Sequence, residues 1–293
     1  MPARAARLGP VSATGKAAYA LRFTKMHGIG NDFIIIDAIR QYVSDPESLA
    51  ARWCDRHFGI GADGLILALP SALADAKMRI FNSDGSEPEM CGNGIRCLAK
   101  FLYDSGLCQK LQMTVETAAG PMALTLDAAG ARARRVTVNM GRPRFSPREI
   151  PVASDGNALT LQVEGQALRF FCVGMGNPHA VTFDLYPDRD ALARLGPQLE
   201  RHPAFPRGAN VEFCRLDGSG GVDVAVWERG AGATLACGTG ACAVLAAAAS
   251  QGLLPRRATV RLPGGALSIR WGEDGCLYMT GEAQTVFEGT IPA

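Results

Sequence analysis

Two phrases, "CGNGIRCLAKFL" from Cys91 and "CGTGACAVLAAAA" from Cys237, echo one another 146 positions apart, half of a 293-residue chain. The register extends well beyond them. "GIGN" ending at Asn31 and "GMGN" ending at Asn177 each precede their cysteine by 60 residues. "RIFNSDGSEPEMCGNG" lies over "AVWERGAGATLACGTG", which sets Asn82 on Glu228 and Ser83 on Arg229. "GAD" at Gly61 falls within one position of "GAN" at Gly208, and Gly106 of "SGL" falls on Gly252 of "QGL". Features so widely spaced stay in step when a chain is a duplicated unit, so two similar domains are expected.

Short β-branched or aromatic runs bounded by Gly, Asp and Pro read as strands: "FIIIDA", "MRIFN", "MTVETAAG" and "RRVTVNM", then "RFFCVG", "AVTFDL", "NVEFCRL" and "VDVAVWER". After each Cys-Gly-x-Gly comes an apolar run of helix formers that ends near a glycine, which predicts a buried helix with its cap. A second, more exposed helix is expected over Pro46 to Phe58 and over Arg189 to Arg201. The fold class is therefore α/β, with two pseudo-symmetric domains, each a mostly antiparallel sheet or barrel wrapped around a central helix. Residues 1–20 read as a loose extension, since they carry basic residues but no apolar core of a secretory signal. The first domain is expected over 21–138 and the second over 139–281, with 282–293 returning to the first.

Composition narrows the function classes. Thirty basic against 28 acidic residues leave a formal charge of +2, too weak a balance to point to nucleic acid or an acidic membrane as partner. The clusters "RARR" and "PRRATVR" read as solvated edges. No apolar run approaches the roughly 18 residues of a membrane span. Nine cysteines without close even pairing favour a reducing cytoplasm over a secreted disulfide scaffold.

A lone cysteine is most often a small buried hydrophobe, and that suffices for Cys54, Cys108, Cys172, Cys214 and Cys276. Cys91 and Cys97 lie about 240° apart round a helix and Cys237 and Cys242 about 140°, so neither pair chelates a metal from one helix. Cys97 and Cys242 are expected in the core and no metal site is expected. Cys91 and Cys237 differ, because the following glycines admit a ligand to a helix N-terminus whose unpaired N–H groups favour a carboxylate. Such a terminus also lowers a thiol pKa from about 8.5 toward neutrality. Two related domains would set these termini face to face, with one sulfur on each side of a bound carbon. Inverting a centre that carries an acidifiable hydrogen needs a base on one face and an acid on the other, which the two thiols supply.

These residues resemble the diaminopimelate epimerase family, of the pyridoxal-phosphate-independent type. The likeness runs through "FTKMHGIGNDFIIIDA", "HFGIGADG", "FNSDGSEPEMCGNGIRC", "GNPHAV", "GANVEF", "VWERGAGATLACGTGACA" and "LYMTGEAQTVFEG", nearly everything after residue 20. It implies interconversion of LL- and meso-diaminopimelate, on the route to lysine and peptidoglycan, without a cofactor. Carried over by motif, Cys91 and Cys237 are the acid/base thiols, and the amides at Gly92, Asn93, Gly238 and Thr239 hold the carboxylate of the reacting centre. Asn31, Asn82, Asn177, Asn210, Glu228 and Arg229 complete the substrate site, and His179 and Glu228 tune the thiols. Arg229 suits a distal carboxylate and Glu228 an ammonium. Gly64 stands where some relatives carry a glutamine, which leaves only its backbone for substrate.

Other readings stand beside this one. Asn31 and Asn177 suit simple turns; His27 suits a structural role, and His57 and His202 suit surface positions. Proline or hydroxyproline racemases share the twin-cysteine logic but carry a His after the first Cys-Gly, where this chain has Asn93. A thiol redox protein or a zinc module would want the C-x-x-C or His/Cys clustering that is absent. Oligomeric state is left open, with a homodimer as one expectation.

Overall fold

The computed structural model describes residues 20–292; most of the expected N-terminal extension, residues 1–19, lies outside the described residues. The first half runs β1 (Ala20–Gly28), β2 (Asn31–Asp37), α1 (Pro46–Trp53), β3 (Gly64–Leu69), β4 (Ala76–Asn82), α2 (Gly92–Asp104), β5 (Gln112–Thr117), β6 (Gly120–Ala129) and β7 (Arg132–Asn139). The second runs β8 (Ala158–Val163), β9 (Gln166–Gly174), β10 (Pro178–Thr182), α3 (Arg189–Glu200), β11 (Asn210–Leu216) and β12 (Gly221–Glu228). It continues through β13 (Gly232–Ala233), α4 (Gly238–Ser250), β14 (Arg257–Leu262), β15 (Gly265–Trp271), β16 (Leu277–Glu282) and β17 (Gln284–Pro292).

The duplication seen in sequence is a duplication of elements. β9 repeats β1 and α4 repeats α2 at the 146-residue offset. Strand pairing is mostly antiparallel, and its parallel exceptions come in matched couples: β2 with β3 and β10 with β11, then β4 with β5 and β12 with β14. The halves join through β7 and β16, which pair antiparallel from Asn139 against Tyr278 to Arg135 against Glu282. Near the middle of that seam the Thr137 and Thr280 hydroxyls share a hydrogen bond of 2.8 Å. β8 edges the second half against β9, and β17 takes the corresponding place in the first half against β1.

The central helices form for local reasons and stay for tertiary ones. α4 is buried at every residue from Gly240 to Ala248, and small alanines let strands approach it from all sides. α2 sinks Ile95, Leu98 and Leu102 into the same apolar cluster, each burial worth on the order of 2 kcal/mol. Each helix ends against a left-handed glycine, Gly106 (φ 73°) and Gly252 (φ 70°). Outside the sheets, α1 is capped by Asp45 onto the Ser48 amide, and α3 by Asp188 onto the Ala191 amide.

Four expectations need correction. The helix from Pro46 stops at Trp53 rather than Phe58, because the Asp55 carboxylate accepts from the His57 and Phe58 amides, 2.7 Å each, and turns the chain out. Phe58 is left exposed. Cys108 and Cys276 are partly exposed rather than core residues. His202 is half-buried, its ring accepting from the Ala204 amide and lying edge-on to Phe205. None of the nine cysteines is in a disulfide. Among the described residues no helix is long and apolar enough to cross a membrane.

Candidate active site

Cys91 and Cys237 are the N-caps of α2 and α4. Both have extended backbone, and each sulfur accepts from the amide three residues on, Gly94 at 3.4 Å and Gly240 at 3.3 Å. The thiol thus occupies the place a Ser or Asp normally takes at a helix start. The two helix ends abut: a Cβ placed on Gly238 would lie 3.7 Å from the Gly92 Cα and 3.1 Å from the Met279 sulfur. A side chain at either glycine would press on Met279, so the glycine after each cysteine keeps the ends close. Asn93 bolts the ends together, its side-chain amide donating to the Ala236 carbonyl of the other half at 3.1 Å.

On the first-half side, Gly30 (φ 89°) turns the chain in a left-handed conformation and delivers Asn31; Gly176 (φ 88°) does the same for Asn177. Asn31 Oδ1 accepts from Asn93 Nδ2 at 3.1 Å and lies 3.7 Å from the Cys91 sulfur, while its Nδ2 donates to Asp63 at 2.7 Å. Behind them the fully buried Arg96 donates to the Gly92 carbonyl at 3.1 Å and to Asn93 Oδ1 at 2.9 Å.

On the second-half side, Cys237 lies 3.5 Å from the Thr239 hydroxyl and within hydrogen-bonding reach of the Glu228 carboxylate, which also accepts from Thr234. His179, with no accessible surface, places Nδ1 2.6 Å from Glu212 Oε1 and Nε2 2.8 Å from Asn177 Oδ1. Glu212 is itself fully buried below the α4 N-terminus, where a Cβ on Gly240 would come 2.7 Å from Oε1; its Oε2 has no partner.

The expected lowering of the thiols does not hold, because burial outweighs the helix ends. Cys91 keeps some accessible surface, yet crowding by protein atoms pushes its thiol up, against the pull of the Gly94 and Asn93 amides. Cys237 goes well above the usual thiol range, by burial first and then by the carboxylates of Glu228 and Glu212. Burial also raises Glu228, opposed by hydrogen bonds from Thr234 and Cys237.

A family model described as diaminopimelate epimerase matches residues 23–146 and 171–286. The chain belongs to the diaminopimelate epimerase family. A diaminopimelate epimerase of Methanococcus maripaludis strain S2 is 50% identical over 275 residues, which are 92% of this chain and 99% of that protein. One from Acetivibrio thermocellus is 48% identical over 275 residues, 92% of this chain and 98% of the relative. Among solved structures, a hydroxyproline epimerase from Agrobacterium vitis superposes with a TM-score of 0.69 at 18% identity, covering 93% of this chain and 92% of that one. A structure described as a predicted epimerase from Pseudomonas aeruginosa gives 0.62 at 17%, covering 92% and 99%. These distant likenesses show the same fold, and the family places the chain among the isomerases.

The residues expected in the site divide into an inner group and an outer one. Asn31, Cys91, Gly92 and Asn93 meet Cys237, Gly238, Thr239 and Glu228 where the helices abut, with Asn177 and His179 bonded to each other beside them. Asn82, Asn210 and Gly64 sit on the strands leading in, and Arg229 on the turn just past β12. Asn82 is exposed and donates to Ser86 at 2.9 Å; Asn210 accepts from the Arg229 amide at 2.9 Å. The Arg229 guanidinium donates to the Arg207 carbonyl at 3.0 Å. Gly64 has no room for a side chain, since a Cβ would lie 2.6 Å from the Phe81 carbonyl. Arg96 and Glu212 are the groups the sequence reading missed.

Proposed function

We propose that this protein epimerises LL-2,6-diaminopimelate to meso-diaminopimelate without a cofactor, one cysteine thiolate taking the α-proton and the opposing cysteine thiol returning one to the other face. The observation that carries this reading is the pair of repeat-related cysteines capping helix ends that abut. A carbon bound between them meets a sulfur on each side, as a two-base inversion demands. The amides at Gly92, Asn93, Gly238 and Thr239 belong to helix first turns, whose N–H groups lack intrahelical partners, and they hold the carboxylate as negative charge builds beside it. Glu228 and His179 set the protonation of the Cys237 side. Arg229 keeps guanidinium donors for the distal carboxylate, and Asn31, Asn82, Asn177 and Asn210 bind the zwitterion without adding charge. The lobes 21–138 and 139–281 separate to admit substrate, and reduced thiols accord with a cytoplasmic setting.

Proton NMR with LL-diaminopimelate in D₂O, with reductant and with L-proline as a control, tests this directly. Deuterium should enter one α-position as the meso isomer forms, while proline stays unlabelled; exchange with proline alone would assign the protein to a different substrate class. Cys91→Ala and Cys237→Ala should each lower kcat by on the order of 10²–10⁴-fold with the fold retained, the usual size of a lost general acid or base.

A further inference from the structure

The duplicated halves differ in the charges placed behind their cysteines. Arg96 of α2 corresponds by the repeat to Cys242 of α4, and Glu212 of β11 to Ile66 of β3. The first half therefore carries a buried cation behind its cysteine, and the second carries a buried carboxylate.

Arg96 sits in a pocket made for it. A Cβ on Gly28 would lie 3.0 Å from its Nη2, and one on Gly281, from the other half, 3.1 Å from its Nε. It bonds two neutral oxygens and the Met279 sulfur, its Nε has no partner, and among the described residues no carboxylate pairs with it. A guanidinium with no solvent and no counter-ion is costly. The ionisable groups that act on it are three thiols, Cys97, Cys91 and Cys242. Cys97 and Cys242 are core thiols pushed up to about 12 by burial, which leaves Cys91 as the site where a counter-charge can form.

We propose that Arg96 is a positioning residue that decides which thiol of the pair yields its proton first, making Cys91 the readier thiolate and keeping Cys237 the thiol. This rests on the two-thiol reading of the site given above. The groups acting on Cys91 are the Gly94 and Asn93 amides, the Glu228 carboxylate, which raises it, Arg96, which lowers it, and Asn31. Those facing Cys237 are Glu228, Glu212, Thr239 and the Gly240 amide, with His179 bonded to Glu212. Burial lowers the Arg96 guanidinium, but a guanidinium starts so far above neutrality that Arg96 remains the cation on this side of the site. Besides the Glu228 carboxylate, what favours a protonated Cys91 is the contact to Asn31 Oδ1, a 3.7 Å approach to a neutral oxygen already accepting from Asn93. Such a weak sulfur contact does not match a full buried charge.

The test is the pH midpoint of iodoacetamide alkylation at each cysteine, read separately by mass spectrometry of the peptides in the full chain. It needs no turnover, so its result is independent of the substrate assay. The midpoint should be lower at Cys91 than at Cys237. Arg96→Met should raise the Cys91 midpoint by on the order of one pH unit, tenfold less thiolate at a given pH, and Arg96→Lys should restore most of it. A folded Arg96→Met protein whose Cys91 midpoint has not moved, or a wild type that ionises first at Cys237, overturns the proposal. Glu212→Gln leaves Arg96 untouched and keeps the test open if Arg96→Met does not fold. It should lower the Cys237 midpoint without moving that of Cys91, and a change at Cys91 alone would count against the assignment.

Discussion

Asp32, next to Asn31, is held by Lys25 at 2.7 Å and by Arg56 at 2.8 Å. Burial alone would raise its carboxyl, but hydrogen bonds from Arg56 and Lys25 win and bring it from 3.8 to about 2. A carboxyl lowered on folding contributes stability that is complete above its unfolded value and is lost as pH falls through the folded one. Asp32 should therefore contribute on the order of 2 kcal/mol at neutral pH, fading from about pH 4 to pH 2. Urea midpoints measured across that range should fall in the wild type and stay flatter in Asp32→Asn, which should already be weaker at pH 7. At this scale the sequence was partly legible. Cys91 and Cys237 stand out because the repeat keeps identical residues at identical offsets. Arg96 and Glu212 escaped because duplication draws the eye to matches, and both are mismatches. A signal for Arg96 lies in the repeat: its counterpart Cys242 is expected in the core, and the matching position on α2 is buried too.

At the scale of elements, α3 lies so close on β12 that a Cβ on Gly196 would sit 2.2 Å from the Trp227 ring. Trp227 in turn donates its ring N–H to Glu200 at the end of the same helix, 2.8 Å away. In an open helix Gly→Ala gains about 1 kcal/mol of propensity. Here the insertion forces the indole aside, an overpacking cost of about 1–3 kcal/mol that should dominate. Gly196→Ala should lower Tm by a few degrees in calorimetry and alter tryptophan emission; a raised Tm would show that the ring moves freely. Strand and helix positions were readable from short β-branched runs and from the alanine-rich stretch after Cys237. The end of α1 was not, because a single carboxylate, Asp55, captures two amides and stops a helix that the apolar pattern would have extended.

At the scale of the whole molecule, the two lobes are one continuous sheet system joined at β7 and β16. The Thr137–Thr280 hydroxyl pair spans that seam. A double-mutant cycle with Thr137→Val and Thr280→Val should give a coupling energy of about 0.5–1.5 kcal/mol, the range of a net hydrogen bond between contacting residues. Additive single effects would mean the seam relies on its backbone ladder alone. Two domains were legible from the offset of the cysteines, but the antiparallel register between them was not, since Arg135 against Glu282 is one unremarkable pairing among many available.

β17 pairs with β1 from Ala20 against Pro292 to His27 against Gln284, so the opening strand is completed by the closing one. A ribosome makes β1 first among the described elements and β17 last. The first half is made early, yet it waits with one edge uncovered until β17 has been made. During that interval β1 presents unpaired backbone to anything nearby, which makes the nascent first half the stage at which mispairing is most costly. The second half has no such delay, because β8 and β9 are adjacent and emerge together. Two halves built to one plan thus mature on different clocks, and the later-born half is the first able to finish.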